Sequence, residues 1–194
     1  MGRVGSVART TKETSVRVDL ALDGEGVVEI DTGLPFFDHM LRQLGKHAGW
    51  DLSVSCAGDL EVDGHHTVED VGLAIGQSLT EALGDKAGIR RFASIVVPLD
   101  EAAVEVALDL SGRSFVLHDV DVPAETIGTF DTGLVEDFVR AFAQAADLTL
   151  HVRLRSGRAP HHVVEAEFKA LAKALGDACA LDGAGGVPST KGTL

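Results

Sequence analysis

The sequence predicts an internally duplicated α+β fold, and two repeated patterns lead to this prediction. His-His-x-x-Glu occurs at residues 65–69 and again at residues 161–165, both times at the start of an apolar-periodic segment typical of a helix. Asp-Thr-Gly-Leu occurs at residues 31–34 and again at residues 131–134. Two copies of both patterns in one chain indicate that one structural unit is present twice.

The spacing between the repeated segments supports the duplication. The interval from Asp51 to His65 equals that from Asp147 to His161. Residues 84–88, Gly-Asp-Lys-Ala-Gly, break the chain between the copies. We therefore expect a single domain of 194 residues made of two β-β-α-β-β-α halves, at about residues 1–88 and 89–194.

The strands of the first half are predicted from alternating apolar and polar residues, the pattern of a strand with one buried face. These strands are residues 16–22, 27–30, 51–56 and 60–62, and a turn at residues 23–26 is expected to join the first two in a hairpin. One helix is expected to end near Gly49, and a second to run from His65 to about Leu83.

The second half is expected to repeat this arrangement. Its predicted strands are residues 94–98, 102–110 and 147–152, and its helices cover residues 135–146 and a long segment from His161. Because the strands come in hairpin pairs, we expect antiparallel or mixed four-stranded sheets with helices on one face. The two helix layers could then pack against each other, although ligands on the helices could equally meet between neighbouring chains.

Charge and composition exclude several classes of protein. The net charge of −13 and pI of about 4.9 argue against nucleic acid or an anionic membrane as the main partner, since both would repel the chain. Residues 1–14 contain no apolar signal segment, and the sequence has no apolar run long enough to span a bilayer. We therefore expect neither a signal peptide nor a membrane span. The only two cysteines, Cys56 and Cys179, lie far apart, which fits a reducing cytoplasmic location.

The repeated histidines favour a pair of metal sites. On a helix, His65 and Glu69 share a face, whereas His66 lies about 100° round from His65. Neighbouring imidazoles splayed in this way are suited to two different ions. Imidazole and carboxylate ligands without cysteine favour manganese, iron or zinc. The alternative is that these polar residues only begin two helices.

Further motifs reveal a family resemblance. The doubled His-His-x-x-Glu is accompanied by Phe-Asp-His-Met-Leu at 37–41, Leu-Asp-Glu-Ala at 99–102 and Pro-Ser-Thr-Lys-Gly at 188–192. With these motifs in this order, nearly the whole chain resembles imidazoleglycerol-phosphate dehydratases of histidine biosynthesis. The resemblance implies a duplicated fold like the second domain of ribosomal protein S5. It also implies a shell of 24 subunits, with two Mn²⁺ ions in each active site between subunits.

The resemblance also assigns metal ligands. They would be His39, His65, His66, Glu69, Asp137, His161, His162 and Glu165. Asp137 departs from the family, which usually has histidine there. We expect this carboxylate still to coordinate, since oxygen suits Mn²⁺; the alternative is a residue that only caps its helix. Ala159 and Pro160, before the second histidine pair, also differ from the family's usual sequence.

The implied reaction dehydrates D-erythro-imidazole glycerol phosphate to imidazole acetol phosphate. Because no carbonyl activates the departing proton, the substrate's ring must relay electrons, as an imidazolate that gives a diazafulvene. The resemblance makes Glu13 the acid–base candidate. Residues expected to bind the substrate or its phosphate are Gln43, His47, Arg91, Arg113, Lys169, Ser189, Thr190 and Lys191. The tail at 187–194 is expected to be mobile without ligand and to close over the phosphate.

Two other functions remain open at this stage. A dinuclear metallohydrolase would use a metal-bound hydroxide to cleave a phosphate ester. A metal-buffering or shell-forming protein would need neither Glu13 nor the phosphate-binding residues. A nucleic-acid module is disfavoured because the chain has no basic stripe. Of the remaining histidines, His118 is expected at the surface or at a strand end.

Overall fold

A computed structural model describes residues 2–183 and 185–194. The first half contains three strands, a helix, a strand and a helix. They are β1 (Val4–Thr10), β2 (Thr14–Ala21), β3 (Val28–Asp31), α1 (Pro35–Ala48), β4 (Asp51–Gly58) and α2 (His65–Leu83). The second half repeats this order around one extra small hairpin. Its elements are β5 (Phe92–Leu99), β6 (Ala102–Asp109), β7 (Phe115–Asp119), β8 (Thr126–Ile127), β9 (Phe130–Asp131), α3 (Leu134–Ala145), β10 (Thr149–Ser156) and α4 (Pro160–Cys179).

The two large sheets have the same topology. Their strand orders are β1-β2-β4-β3 and β5-β6-β10-β7. In each sheet the first three strands in this order are antiparallel, whereas the edge strand β3 or β7 pairs in parallel with its neighbour. The repeated order confirms the predicted α+β class and the duplication.

The helices of the two halves form the centre of the molecule. Strands β2 and β6 alternate buried and more exposed residues, so that one face of each sheet is apolar. That face is covered by α2 in the first half and by α4 in the second. Across the halves α2 packs against α3, and α1 against α4, which confirms the expected contact between helix layers.

Glycines permit these close helix contacts. A side chain on Gly76 would lie only 2.5 Å from the Phe142 carbonyl of α3, and one on Gly176 only 2.8 Å from the Ala48 carbonyl at the end of α1. Both positions therefore let a helix of one half approach the backbone of the other half. These two interfaces bring the candidate ligands together.

Some details of the first half differ from the sequence prediction. Residues 60–62 were expected to form a strand but form a turn, closed by a 2.8 Å hydrogen bond from the Val62 N–H to the Asp59 carbonyl. Strand β3 does not complete a hairpin with β2; it pairs with β4 instead. Strand β1 was not predicted, because Gly5 and Ser6 interrupt its apolar pattern at the sheet edge.

None of the helices in the described part of the chain combines the length and the apolar character needed to cross a bilayer.

Candidate metal and substrate site

Three candidate ligands meet where α1 packs on α4. The ligand atoms of His39, His161 and Glu165 all lie within 4.8 Å of one another. The Glu165 Oε2 atom is 3.0 Å from the His161 Nε2 atom and 3.4 Å from the His39 Nε2 atom. Two imidazoles and one carboxylate converging on a partly exposed point form a donor set that fits a divalent transition metal.

The surroundings of Glu165 favour its charged form. Burial opposes ionisation, but hydrogen bonds from Lys169 and His161 outweigh it, so the pKa of Glu165 lies below its usual value. The Lys169 Nζ atom is 2.7 Å from the other carboxylate oxygen. Phe36 packs edge-on against the His161 ring, with 5.3 Å between ring centroids. A carboxylate held ionised beside two imidazoles is ready to bind a cation.

A second group lies where α2 packs on α3, at the equivalent interface of the duplicated fold. The His65 Nδ1 atom is 3.1 Å from the Asp137 Oδ2 atom. Glu69 is exposed one helical turn after His65 and therefore shares its face. The structure thus places Asp137, in the first turn of α3, in contact with a candidate ligand.

The second histidine of each pair contacts a carboxylate outside these two groups, Asp59 for His66 and Glu101 for His162. His65 and His66 have ring planes at 73° with centroids 5.9 Å apart, and His161 and His162 have planes at 83° with centroids 6.4 Å apart. This geometry agrees with the splayed arrangement expected from helical periodicity.

His66 is held by acidic residues of the first half. Its Nδ1 atom is 3.0 Å from the Asp59 Oδ2 atom, and its Nε2 atom is 3.8 Å from the Glu13 Oε1 atom. The hydrogen bond with Asp59, with a smaller contribution from the Glu13 charge, raises the pKa of His66. The acid–base candidate Glu13 is therefore next to a candidate metal ligand.

His162 has a matching arrangement in the second half. Its Nδ1 atom is 2.8 Å from the Glu101 Oε2 atom, while Glu101 also accepts backbone hydrogen bonds from Arg158 and Ala159. The His162 hydrogen bond is the largest cause of lowering the pKa of Glu101 to about 2. In both halves a carboxylate holds Nδ1 and leaves Nε2 for another partner, a common way to orient a ligating imidazole.

Asp59 and Glu101 were not assigned a role from sequence. Glu101 belongs to the Leu-Asp-Glu-Ala motif, but nothing in the sequence links it to His162. Asp59 precedes His66 in a loop whose path depends on the turn at residues 59–62. Both contacts need the tertiary structure to be recognised.

The predicted phosphate-binding residues Arg91, Arg113, Ser189, Thr190 and Lys191 line one cavity of about 640 Å³. The tail forms one side of it, and Ser111 and Gly112 also contribute.

Arg91 has φ of 73°, an uncommon backbone conformation for a non-glycine residue. Its guanidinium contacts both carboxylate oxygens of Asp109, at 2.6 and 3.0 Å, and the Pro188 carbonyl at 2.8 Å. Arg91 thereby connects the tail to the second sheet.

The other predicted substrate residues lie outside the lining of this cavity. Lys169 is with Glu165, as described above. Gln43 and His47 are one turn apart on α1, with 3.1 Å between Gln43 Oε1 and His47 Nε2. Burial, followed by the charges of Lys169 and Lys173, lowers the pKa of His47. These residues form a patch beside the Glu165 group and not beside the tail.

His118 differs from its sequence prediction. It does lie near the end of β7, but only 4% of its side chain is exposed. Its Nε2 atom is 2.8 Å from the buried carboxylate of Glu167 on α4, and its Nδ1 atom is 3.8 Å from Glu136 on α3. The surface prediction was wrong because α3 and α4 cover this end of the strand.

Comparisons with known proteins agree with this geometry. The sequence model of the imidazoleglycerol-phosphate dehydratase family matches residues 32–175. The chain belongs to this family. An imidazoleglycerol-phosphate dehydratase of Acidothermus cellulolyticus is 57% identical over 99% of this chain and 93% of its own length. One from Frankia casuarinae is 55% identical over 100% of both chains.

Solved dehydratase structures share the fold. The enzyme of Staphylococcus aureus superposes with a TM-score of 0.84 at 36% identity, covering 92% of this chain and 99% of its own. That of Pyrococcus furiosus gives 0.84 at 34% identity, covering 97% and 100%. The imidazoleglycerol-phosphate dehydratase family consists of metal-dependent hydro-lyases of histidine biosynthesis that act on a small molecule.

Proposed function

We propose that this chain dehydrates D-erythro-imidazole glycerol phosphate to imidazole acetol phosphate, with two Mn²⁺ ions per active site. The observation that carries this proposal is the pair of ligand groups at equivalent helix interfaces, His39–His161–Glu165 and His65–Asp137. Two such groups match a reaction in which both nitrogens of one imidazole ring are held.

The proposal places the active site between subunits. Each group holds only two or three ligands from the described part of one chain, and there the Nε2 atoms of His66 and His162 have only long contacts, 3.8 Å to Glu13 and 3.9 Å to Asp100. A neighbouring chain could therefore complete each group with its second histidine. An assembly of 24 subunits, which the family resemblance implies, would provide these contacts on every subunit.

The chain's own residues would bind the substrate and move its protons. When bound, divalent metals would polarise the imidazole ring and favour its electron-rich form. Loss of the neighbouring hydroxyl as water would need a proton, and the next carbon would give up a proton to a base, leaving an enol that becomes the ketone. Glu13 is suited to this transfer because it is half-exposed and 3.8 Å from His66.

The cavity beside the tail suits the phosphate. Arg113 and Lys191 bring positive charge to it, and Ser189 and Thr190 bring hydroxyl donors. Hydrogen bonds from charged groups to phosphate are short and strong. In this proposal the cavity holds the non-reacting end of the substrate and leaves the imidazole end for the metals.

The proposal is tested by measuring metal content per chain together with product formation from imidazole glycerol phosphate. We expect a ketone product without release of inorganic phosphate, and loss of activity on chelation. Phosphate release would instead support a metallohydrolase. Activity that survives exhaustive chelation would contradict the proposal, and full turnover by Glu13→Gln would remove Glu13 from it.

A further inference from the structure

We propose that Asp70 is a positioning residue that sets the distance between Glu13 and the metal-binding helix α2. This inference rests on the proposed function, in which Glu13 transfers protons beside His66. Asp70 lies in the same helix as His65, His66 and Glu69, but its residue surface is only 4% exposed, and it faces the first sheet rather than the site.

Both oxygens of this buried carboxylate are used to hold the first two strands. The Oδ1 atom accepts a hydrogen bond from the Arg9 Nε atom on β1, at 2.9 Å. The Oδ2 atom accepts one from the Thr14 hydroxyl at the start of β2. A buried carboxylate is costly unless it is paired in this way. Asp70 therefore joins α2 to both strands that flank Glu13.

Glu13 depends on this attachment because its own side chain makes few contacts. Within residues 2–183 and 185–194, its carboxylate has the 3.8 Å approach to His66 but accepts no hydrogen bond. About half of the side chain is exposed, at 52%. The backbone at residue 13 therefore sets the region that the carboxylate can reach.

That backbone is held in a tight turn. The Thr11 hydroxyl accepts the N–H groups of Glu13 and Thr14, at 3.1 and 3.0 Å, and the Thr11 N–H donates to the Thr14 carbonyl at 2.9 Å. These bonds make the turn rigid but do not attach it to α2. The Thr14–Asp70 hydrogen bond makes that attachment, one residue after Glu13 and four after His66.

A second attachment runs through the loop before α2. The Asp59 N–H donates to the Glu13 carbonyl at 3.1 Å, and the Asp59 carboxylate holds His66. Asp59 thus connects the Glu13 backbone to the candidate ligand His66. Asp70 connects the neighbouring residue Thr14 to the buried face of α2. With the Asp70 attachment lost, the turn could shift along the sheet edge while the metal ligands stayed in place.

The experiment compares Thr14→Val, which removes the hydroxyl but keeps the shape, with Thr14→Ser, which keeps the hydroxyl. Turnover and KM with imidazole glycerol phosphate are measured with Mn²⁺ content. We expect Thr14→Val to lower kcat by about 10- to 100-fold, as displacements near 1 Å do in other active sites. KM and metal content should match the parent chain, and Thr14→Ser should restore kcat to within a few fold.

Asp70→Asn provides a second measurement if Thr14→Val does not fold. The amide can still bond the Thr14 hydroxyl but lacks the charge that strengthens the bond, so a smaller loss of kcat in the same direction is expected. Parent kcat in the variants would overturn the proposal. So would a fall in kcat accompanied by an equal loss of bound Mn²⁺, because the residue would then serve the metal site or the fold.

Glu13→Gln separates this inference from the proposed function. If Glu13→Gln keeps full turnover, the acid–base role of Glu13 fails and the role of Asp70 fails with it. If Glu13→Gln is inactive while Thr14→Val and Asp70→Asn are fully active, the proposed function stands and only the positioning role of Asp70 is overturned.

Discussion

His65 and Asp137 are far apart in sequence, yet the His65 Nδ1 atom lies 3.1 Å from the Asp137 Oδ2 atom. The contact joins α2 of the first half to α3 of the second, at the interface opened by Gly72 and Gly76. The opposite interface, between α1 and α4, joins His39 to Glu165. The duplication thus produces two related ligand groups from one type of helix contact.

Asp137 is expected to bind metal even though it is shorter than histidine. Loss of a residue that merely orients a ligand typically weakens metal binding by about 10- to 100-fold, so Asp137→Ala should weaken one of the two metals at least that much. Asp137→His should retain both metals. Isothermal titration of Mn²⁺ into chelated protein measures this. Affinities of both sites that are unchanged in Asp137→Ala would remove Asp137 from the ligand set.

Asp59 and Glu101 are expected to orient His66 and His162. Asp59→Asn and Glu101→Gln should each weaken Mn²⁺ binding by about 10- to 100-fold, since the Nδ1 hydrogen bond that fixes the ring is lost or weakened. Glu61→Gln, which changes an exposed carboxylate in the same loop as Asp59, is the matched control. If the control loses as much affinity as Asp59→Asn, general surface charge rather than ring orientation is responsible.

Removal of residues 187–194 is expected to weaken substrate binding. The deletion takes away the hydroxyl and ammonium donors of the tail, and one charged hydrogen bond contributes about 1.5 to 3 kcal/mol, equivalent to about 10- to 100-fold in KM. Metal content should not change, because the ligand groups lie on helices outside the tail. Steady-state kinetics and metal analysis of the truncated chain check both statements. A truncated chain with the parent KM would exclude the tail from substrate binding.

The buried pair of His118 and Glu167 is expected to stabilise the fold at low pH. Burial acts against protonation of His118, but the hydrogen bond and charge of Glu167, with Glu136, outweigh it and raise its pKa; Arg140 acts weakly in the opposite direction. A raised folded-state pKa gives stability that is fully present below the unfolded value of about 6.5 and is lost as pH rises through the folded value.

The measurement is the difference in unfolding free energy between the parent chain and His118→Gln across this pH range. The difference should shrink as pH rises through the folded pKa of His118, and contributions from the other histidines cancel. Because Glu167 would remain buried, His118→Ala should cost about 3 to 5 kcal/mol, whereas the double change His118→Phe, Glu167→Leu should cost less. If the difference in unfolding free energy between the parent chain and His118→Gln does not depend on pH, His118 and Glu167 do not form a charged pair.

Much of the fold could be predicted from the sequence. The apolar periodicity after His65 and His161 located α2 and α4, and the equal spacing from Asp51 and Asp147 revealed the duplication. Strand pairing was less accessible. Strand β3 pairs in parallel with β4, and the whole of α1 lies between these two strands in the sequence. No local turn signal can therefore indicate the pairing.

The same division applies to the site. The candidate ligands were recognised from their motifs and the family resemblance, and their splayed directions from periodicity, because a helix fixes the angle between neighbouring residues. The fold determines which ligands meet, since His39, Asp137 and Glu165 reach their partners through helices packed across the two halves. It also decided that Asp70 faces the sheet and that His118 is buried. Such contacts depend on how helices and sheets pack against one another, and local sequence patterns do not indicate that packing.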